Sequence, residues 1–424
     1  MIVLRVLKFW KDRTASDDFA VFSTVNEIVS NVRKFGDRAV SDYNVKFGGL
    51  ESSDFRVPKE VLDRAFDEIS DDLRSAILVA ADNLKRFAVL QKGSLAEVEA
   101  TEVTPGVFLG HNVIPVDSCC CYVPGGNHPL FSTALMLAIP AKVAGVPRVC
   151  AAVPPMNGSS LPHPATLAAL KVAGVDEVYS IGGAQAVAAL AYGTETIAPV
   201  SMIVGPGNKY VTEAKRQVYG RVGIDFVAGP SEVLVIADES ADPKVIACDI
   251  LAQSEHDKDA AGILVTTSAS LAESVASEVE SLLRSLDTAD IASVSWKDNG
   301  RIIVANSLEE AAEISNDVAP EHLEINLRDN DVIIPLLRNY GSLFIGEGAA
   351  EVFGDYVAGT NHTLPTMGAA RYTGGVSVMT FLKVCTFQSV TDEGVASIAP
   401  VAEVMARNEG LSAHAMAAAV RIKR

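Results

Sequence analysis

From residue 149 to residue 345 the chain alternates short apolar runs with helical segments, and glycine marks most of the joins. Residues 149–153 read as a strand and 164–173 as a helix ended by Gly174. Residues 177–181 read as a strand running into Gly182-Gly183, and 184–192 as a helix stopped by Gly193. A strand over 202–204, the turn Gly205-Pro206-Gly207 and a helix over 211–219 complete this series. From residue 231 the order recurs, with strands over 233–236, 261–266, 301–304 and 343–345 alternating with helices over 243–253, 271–286 and 308–318. Strand, glycine turn, helix, strand is the pattern of parallel β-α-β units, because a parallel neighbour is reached only by a crossover long enough to hold a helix. An α/β fold with two such units in succession is expected.

The flanks differ. Residues 16–100 are charged and helical in period. Over 59–91, Val61, Leu62, Phe66, Ile69, Leu73, Ile77, Leu78, Ala81, Leu84 and Phe87 fall on roughly one face. Pro105, Gly106 and Gly110 break 104–114 into short extended pieces. After Gly375 the helical period returns, and the alanine-rich stretch 413–420 is good helix. A chain of 424 residues exceeds one simple core. The expected parts are a helical N-terminal segment, 1–120, joining the second α/β domain; an α/β domain, 121–230; the second α/β domain, 231–375; and a helical tail, 376–424.

A formal net charge of −18 argues against nucleic acid and anionic membranes as partners. No run of about 20 apolar residues occurs, so no membrane span is expected. The first ten residues are apolar but interrupted by charge, unlike a secretory leader. The expected compartment is the cytoplasm, or a plastid for the mature chain of a plant. Three of the six cysteines, Cys119, Cys120 and Cys121, are consecutive, and none forms a CxxC pair. Adjacent cysteines pair poorly with each other, so buried thiols filling a strand are expected.

Two of the glycine turns suit an anion. Gly182-Gly183-Ala184-Gln185 and Gly205-Pro206-Gly207-Asn208 each bring backbone N–H groups to a helix start, where a phosphate can sit. Neither is GxGxxG, and any glycine-rich βα turn has this form. Tyr122 opens the turn Tyr122-Val-Pro-Gly-Gly126, where its ring either stacks on a base or simply packs.

Four of the seven histidines sit in polar clusters. Gln253 and His256 are three apart at a helix end, hence on one face, as metal ligands or as ordinary surface groups. Glu321-His322 follows Pro320, which breaks the preceding helix and presents the pair on a loop; such a pair suits two proton tasks. Asp355 and His362 lie in a loop made by Gly354 and Gly359. Glu409 and His414, five apart in the last helical segment, address different targets.

Six segments recur in one order: Tyr122-Val-Pro-Gly-Gly, Val204-Gly-Pro-Gly-Asn-Lys-Tyr, Ala228-Gly-Pro-Ser-Glu-Val-Leu, Leu251-Ala-Gln-Ser-Glu-His, Ala319-Pro-Glu-His-Leu-Glu and Gly359-Thr-Asn-His-Thr-Leu-Pro-Thr. In that order they resemble the histidinol dehydrogenase family, over about residues 25–420. The resemblance implies two incomplete Rossmann-like parallel-sheet domains, with the helical N-terminal layer and tail. It implies two NAD-dependent oxidations of an amino alcohol, L-histidinol, to the amino acid, the last reaction of histidine biosynthesis. Zinc would be held by Gln253, His256, Asp355 and His414, the last from the partner subunit of a homodimer. His322 would take the alcohol proton and Glu321 would activate water. Ser231, His362 and Glu409 would bind substrate, together with the zinc ligands and the catalytic pair. Tyr122, Gln185 and Asn208 would contact NAD.

The run Ile114-Pro-Val-Asp-Ser-Cys-Cys-Cys121 departs from that family's usual pattern. Arg371-Tyr-Thr-Gly-Gly375 and Phe381-Leu-Lys-Val-Cys385 are closer to a sister group that oxidises dihydroxypropanesulfonate, also with NAD and zinc. Ser231 and Tyr356 follow the histidinol pattern. A silent paralogue would have lost a ligand, and a phosphate-binding transferase would carry a P-loop lysine motif, which is missing.

Overall fold

The computed structural model describes residues 19–52, 54–125 and 129–422. The N-terminal apolar run and Gly126 lie outside them. Three helices open the described chain: α1 (Phe19–Lys46), α2 (Lys59–Ala65) and α3 (Asp71–Gly93). The single helical stretch expected over 59–91 is divided because Ser70 starts a new helix, its side chain accepting the Leu73 N–H. Strands β1 (Val98–Thr104) and β2 (Val107–Pro115) pair antiparallel around Pro105-Gly106.

The first parallel sheet holds β3 (Ser118–Tyr122), β4 (Arg148–Ala152), β5 (Glu177–Tyr179), β6 (Met202–Val204) and β7 (Gly223–Ile224) in the order β5-β4-β3-β6-β7. Its helices are α4 (Phe131–Ala144), α5 (Pro164–Ala173), α6 (Gly183–Tyr192) and α7 (Lys209–Val218). Cys119, Cys120 and Cys121 fill the middle of β3, and Cys120 lies beside Cys150 of β4, all fully buried. Burial pushes the Cys120 thiol well up, which suppresses the reactive thiolate. The sequence reading passes over α4. It is buried almost all round, between the sheet and α3, so it carries no amphipathic period.

The N-terminal helices pack on this first sheet's helices: α1 lies against α6 and α7, α2 against α5, and α3 against α4, while Asn83 of α3 also reaches the second unit and donates to the Val357 carbonyl at 2.9 Å. The reason lies in α5 and α6. They are short, alanine-rich and buried on nearly every side, so a further helical layer must cover them.

The second sheet runs β10-β9-β8-β11-β12, all parallel: β8 (Glu232–Ala237), β9 (Ala261–Thr266), β10 (Arg301–Val304), β11 (His322–Asn326) and β12 (Ser342–Ile345). Its helices are α8 (Pro243–Ser254), α9 (Ala269–Leu282), α10 (Ala289–Asn299), α11 (Leu308–Val318) and α12 (Glu351–Tyr356). The tail begins with a strand, β13 (Leu382–Val390), which pairs antiparallel with β2 to give a third sheet, β1-β2-β13. The helical part expected there follows as α13 (Asp392–Asn408) and α14 (Ser412–Ile422). No helix of the described residues is long and apolar enough to cross a membrane.

Candidate active site at the amino edge of the second sheet

The polar residues gather where β8 and β11 begin. α11 ends at Ala319, whose left-handed backbone turns the chain into Pro320. Glu321-His322 does not lie on a loop: His322 is the first residue of β11, paired with Val233 of β8 and Ser342 of β12. The sequence hides this. From His322 to Asn326 polar and apolar residues alternate, the pattern of a strand with one wet face. Here both faces are buried, with Leu323 and Ile325 in an apolar core and His322 and Glu324 beneath other polar groups.

His322 is only 3% exposed. Its Nδ1 lies 3.3 Å from Glu351 Oε1 and 3.8 Å from Glu321 Oε2, and its Nε2 lies 3.7 Å from Asp355 Oδ1. Its ring leans on Phe344, with centroids 5.9 Å apart. Nε2 and Asp355 Oδ1 are both buried without a hydrogen-bond partner. Such orphans are rare and mark a place meant for another group. Burial pushes the His322 imidazole down to about 4, so it is neutral near pH 7 and can accept a proton. Burial pushes the Glu321 carboxyl up, although the Glu232 N–H donates to its Oε2 at 3.0 Å. Ser231, half-buried beside them at the start of β8, hydrogen-bonds Glu321.

Asp355 sits on a helix rather than in a glycine loop. α12 spans only six residues and carries Glu351 and Asp355 four apart, on one face. Gly354 lets it lie close to β12: a Cβ there would meet the Phe344 ring at 2.7 Å. The Glu324 side chain anchors its start, accepting the Glu351 N–H at 3.0 Å. Glu351, 3% exposed, belongs to the cluster and was missed from sequence. Its spacing from Asp355 was the available signal. His362 lies alongside. The Asp355 carbonyl can only accept, so His362 Nδ1 donates to it at 2.9 Å, and Nε2 accepts from the Thr133 hydroxyl at 3.1 Å.

Gln253 ends α8 fully buried, and His256 follows, exposed. The Gln253 amide is satisfied with its nitrogen toward the two Glu351 oxygens, at 2.6 and 3.1 Å, and toward His322 Nδ1 at 3.1 Å. Its oxygen is then turned away from them. Ligand atoms of His256, Glu351 and Asp355 all lie within 4.8 Å of one another. This nitrogen-and-oxygen set, with the orphaned Asp355 oxygen, fits a dication such as zinc. The surrounding carboxyls point the same way. Burial raises Glu351 well up, Glu324 to about 8 and Asp249 to about 6. A cation would relieve that crowding.

The other named residues lie elsewhere. Tyr122 ends β3 at the point where the first sheet's strand order reverses, a usual place for a ligand crevice. Its buried hydroxyl accepts the Gly183 N–H at 3.0 Å, and burial raises it to about 12. Gln185 is buried and donates to Asn44 Oδ1 at 3.3 Å. Asn208 is exposed and caps α7, accepting from the Tyr210 and Val211 N–H groups. Gly205 requires its residue type: φ is +121°, and a Cβ would fall 2.2 Å from the Tyr122 carbonyl oxygen. Beneath that turn, Lys215 donates to the Gly205 carbonyl at 2.8 Å and pairs with buried Asp225. Glu409 caps the end of α13 and His414 lies on α14, both exposed. Among the described residues, neither joins the cluster of His256, Glu351 and Asp355.

Two parallel α/β units and a buried neutral imidazole flanked by carboxyls suit an enzyme that moves a proton on a small molecule. Residues 11–422 match the family described as Histidinol dehydrogenase. Histidinol dehydrogenase of Rhizobium meliloti (strain 1021) is 45% identical over 412 residues, covering 97% of this chain and 93% of that one. The protein named Histidinol dehydrogenase homolog in Shouchella clausii (strain KSM-K16) is 43% identical over 404 residues, covering 95% of each. The crystal structure of histidinol dehydrogenase from Elizabethkingia anophelis aligns with a TM-score of 0.92 at 38% identity, covering 100% of this chain and 97% of that one. The chain belongs to the histidinol dehydrogenase family, whose members are NAD-dependent oxidoreductases.

Proposed function

We propose that this site oxidises L-histidinol to L-histidine in two NAD-dependent steps, through the aldehyde held in place, as the last step of histidine biosynthesis. The observation that carries the reading is His322 Nε2, buried, unpartnered and next to the orphaned Asp355 oxygen. An alcohol hydroxyl placed there would give its proton to Nε2, and NAD, when bound, would accept the carbinol hydride. The aldehyde must then add water before a second hydride can leave. Glu321, beside the imidazole, takes the proton from that water. Ser231, His362 and Glu409 bind substrate.

Gln253, His256, Asp355 and His414 of the partner subunit would hold zinc. Zinc, when bound, supplies a fixed positive charge that clamps the substrate's nitrogen ligands and neutralises the carboxyls. The exposed position of His414 on α14 is what a shared site in a homodimer requires. NAD would lie across the first sheet's switch point, with Tyr122, Gln185 and Asn208 around it. The first α/β unit is then the NAD-binding domain, the second holds substrate and zinc, and the tail forms the dimer. Such a protein acts in the cytoplasm.

A specific observation favours one second reading. Relatives named histidinol dehydrogenase and relatives named homologs of it are about equally similar, at 45% and 43% identity. The same chemistry on dihydroxypropanesulfonate is that reading. Purified zinc-loaded protein is assayed for NADH with each alcohol. Two NADH per histidinol, lost on chelation, supports the first proposal; turnover of the sulfonate alone replaces it with the second.

A further inference from the structure

We infer that the buried ion pair Lys215–Asp225 is a positioning device for the cofactor turn: it holds both backbone polar groups of Gly205 and so presets Pro206-Gly207-Asn208 for NAD. The inference rests on the reading that places NAD at the first sheet's switch point. Gly205 is the buried first residue of the turn between β6 and α7, and Asn208 at the other end is exposed. Lys215 of α7 donates from Nζ to the Gly205 carbonyl at 2.8 Å. The Gly205 N–H donates to Asp225 Oδ2 at 2.7 Å. Lys215 and Asp225 pair with each other, their side chains 3% and 1% exposed. The donor and the acceptor of one residue are thus taken by the two halves of one ion pair. Stability does not explain such a pair. Two charges buried this deeply lose their hydration, and apolar side chains of similar volume are commonly as stabilising or more so. Gly205, in contrast, cannot be fixed by a side chain of its own: φ is +121°, and a Cβ would fall 2.2 Å from the Tyr122 carbonyl oxygen and 2.8 Å from Leu137 Cδ1. Glycine also has the most backbone freedom to lose. A Gly-Pro-Gly turn left to itself would be ordered by its ligand, and that ordering cost would be subtracted from the affinity. The ion pair orders the turn beforehand. The rest of the turn is tied in the same way. The Thr212 hydroxyl lies 3.3 Å from both the Gly207 and the Ala228 carbonyl oxygens, and Asn208 Oδ1 accepts the Tyr210 and Val211 N–H groups at 3.0 and 3.2 Å.

The test compares the unchanged full-length protein with two double variants, Lys215→Met/Asp225→Leu and Lys215→Met/Asp225→Asn, and with Asn208→Ala. Each double variant removes both buried charges together, so neither leaves an ion unpaired. Leucine has the branched shape of aspartate but accepts no hydrogen bond, whereas asparagine keeps an acceptor for the Gly205 N–H. NAD is titrated calorimetrically without substrate, and amide hydrogen exchange of the segment 205–210 is followed by mass spectrometry without NAD. The dissociation constant for NAD should rise about tenfold in the Met/Leu variant and less in the Met/Asn variant, and amide exchange of the segment should quicken in the same order. KM for NAD should follow, while kcat and the KM of the alcohol change less than about twofold. A role in folding alone would lower the active fraction and leave the NAD affinity of the folded protein as it was, and that result overturns the inference. Weakened NAD binding in Asn208→Ala with unchanged binding in the Met/Leu variant overturns the inference but keeps NAD at the switch point. Unchanged binding in all three variants overturns the inference and that placement together. If the Met/Leu variant does not fold, NAD affinity and amide exchange in the Met/Asn variant against the unchanged protein still decide.

Discussion

At the residue scale, the site depends on one imidazole kept neutral by burial. His322 sits beneath α8 and α12, where a charged ring would find no water, and its pKa falls to about 4. His322→Asn keeps the size and one hydrogen bond but removes the base. Alcohol oxidation should drop by about 10²–10⁴-fold while zinc remains bound, checked by steady-state kinetics beside metal analysis. Loss of metal in that variant would show that the ring is a ligand instead. Gly354 is the other residue on which the site turns. Its replacement by alanine would push α12 off Phe344 and carry Asp355 and Glu351 with it. Gly354→Ala should cost about 1–3 kcal/mol of stability, read as a shift of the urea midpoint at constant slope.

At the element scale, the two sheets solve different problems. In the first, β3 and β6 approach so closely that only glycine fits at Gly205, and the buried pair Lys215–Asp225 holds that turn in place. Lys215→Met should destabilise the protein by about 3–5 kcal/mol in chemical denaturation, because it leaves Asp225 charged and unpaired. In the second, α8, β11 and α12 press carboxyls together: Asp249, Glu324 and Glu351. Glu324 has its folded-state pKa raised to about 8, so the folded state binds more protons than the unfolded state between the usual carboxyl range and that value. Stability is therefore fullest below about pH 4.5 on this account and declines as pH rises through about 8. Glu324→Gln should flatten that decline in metal-free protein. An unchanged pH dependence of the denaturation midpoint would contradict it.

At the scale of the whole molecule, the tail leaves the body. Of the described residues, α13 and α14 pack chiefly on each other, and Val401, Val404, Met405, Met416 and Val420 are all more than half exposed. His414 rides on this hairpin, away from Gln253, His256 and Asp355. A second copy completing the zinc site would account for both facts, and subunit mixing tests it. His414→Ala and His256→Ala should each be inactive alone. Random dimers of the two should recover about a quarter of the activity, since half are mixed and each holds one intact site of two. No recovery on mixing would mean that the site is not shared.

The sequence alone determined the α/β class, the two successive parallel units and most of the residues that meet at the site. These follow from local periodicity, from glycine at the turns and from histidine beside carboxylate, all of which are local signals. It also carried the six ordered segments that resemble the family. Tertiary structure decided the rest. That the N-terminal helices cover the first sheet depends on which helices are left with apolar outer faces, a property of the assembled layer. That Glu321-His322 opens an interior strand, and that Asp355 stands on a helix with Glu351, depends on burial from both sides, which polar–apolar alternation cannot signal. Glu351 could not be chosen from among the 53 acidic residues by spacing alone. Only the fold brings it within 3.3 Å of the His322 ring.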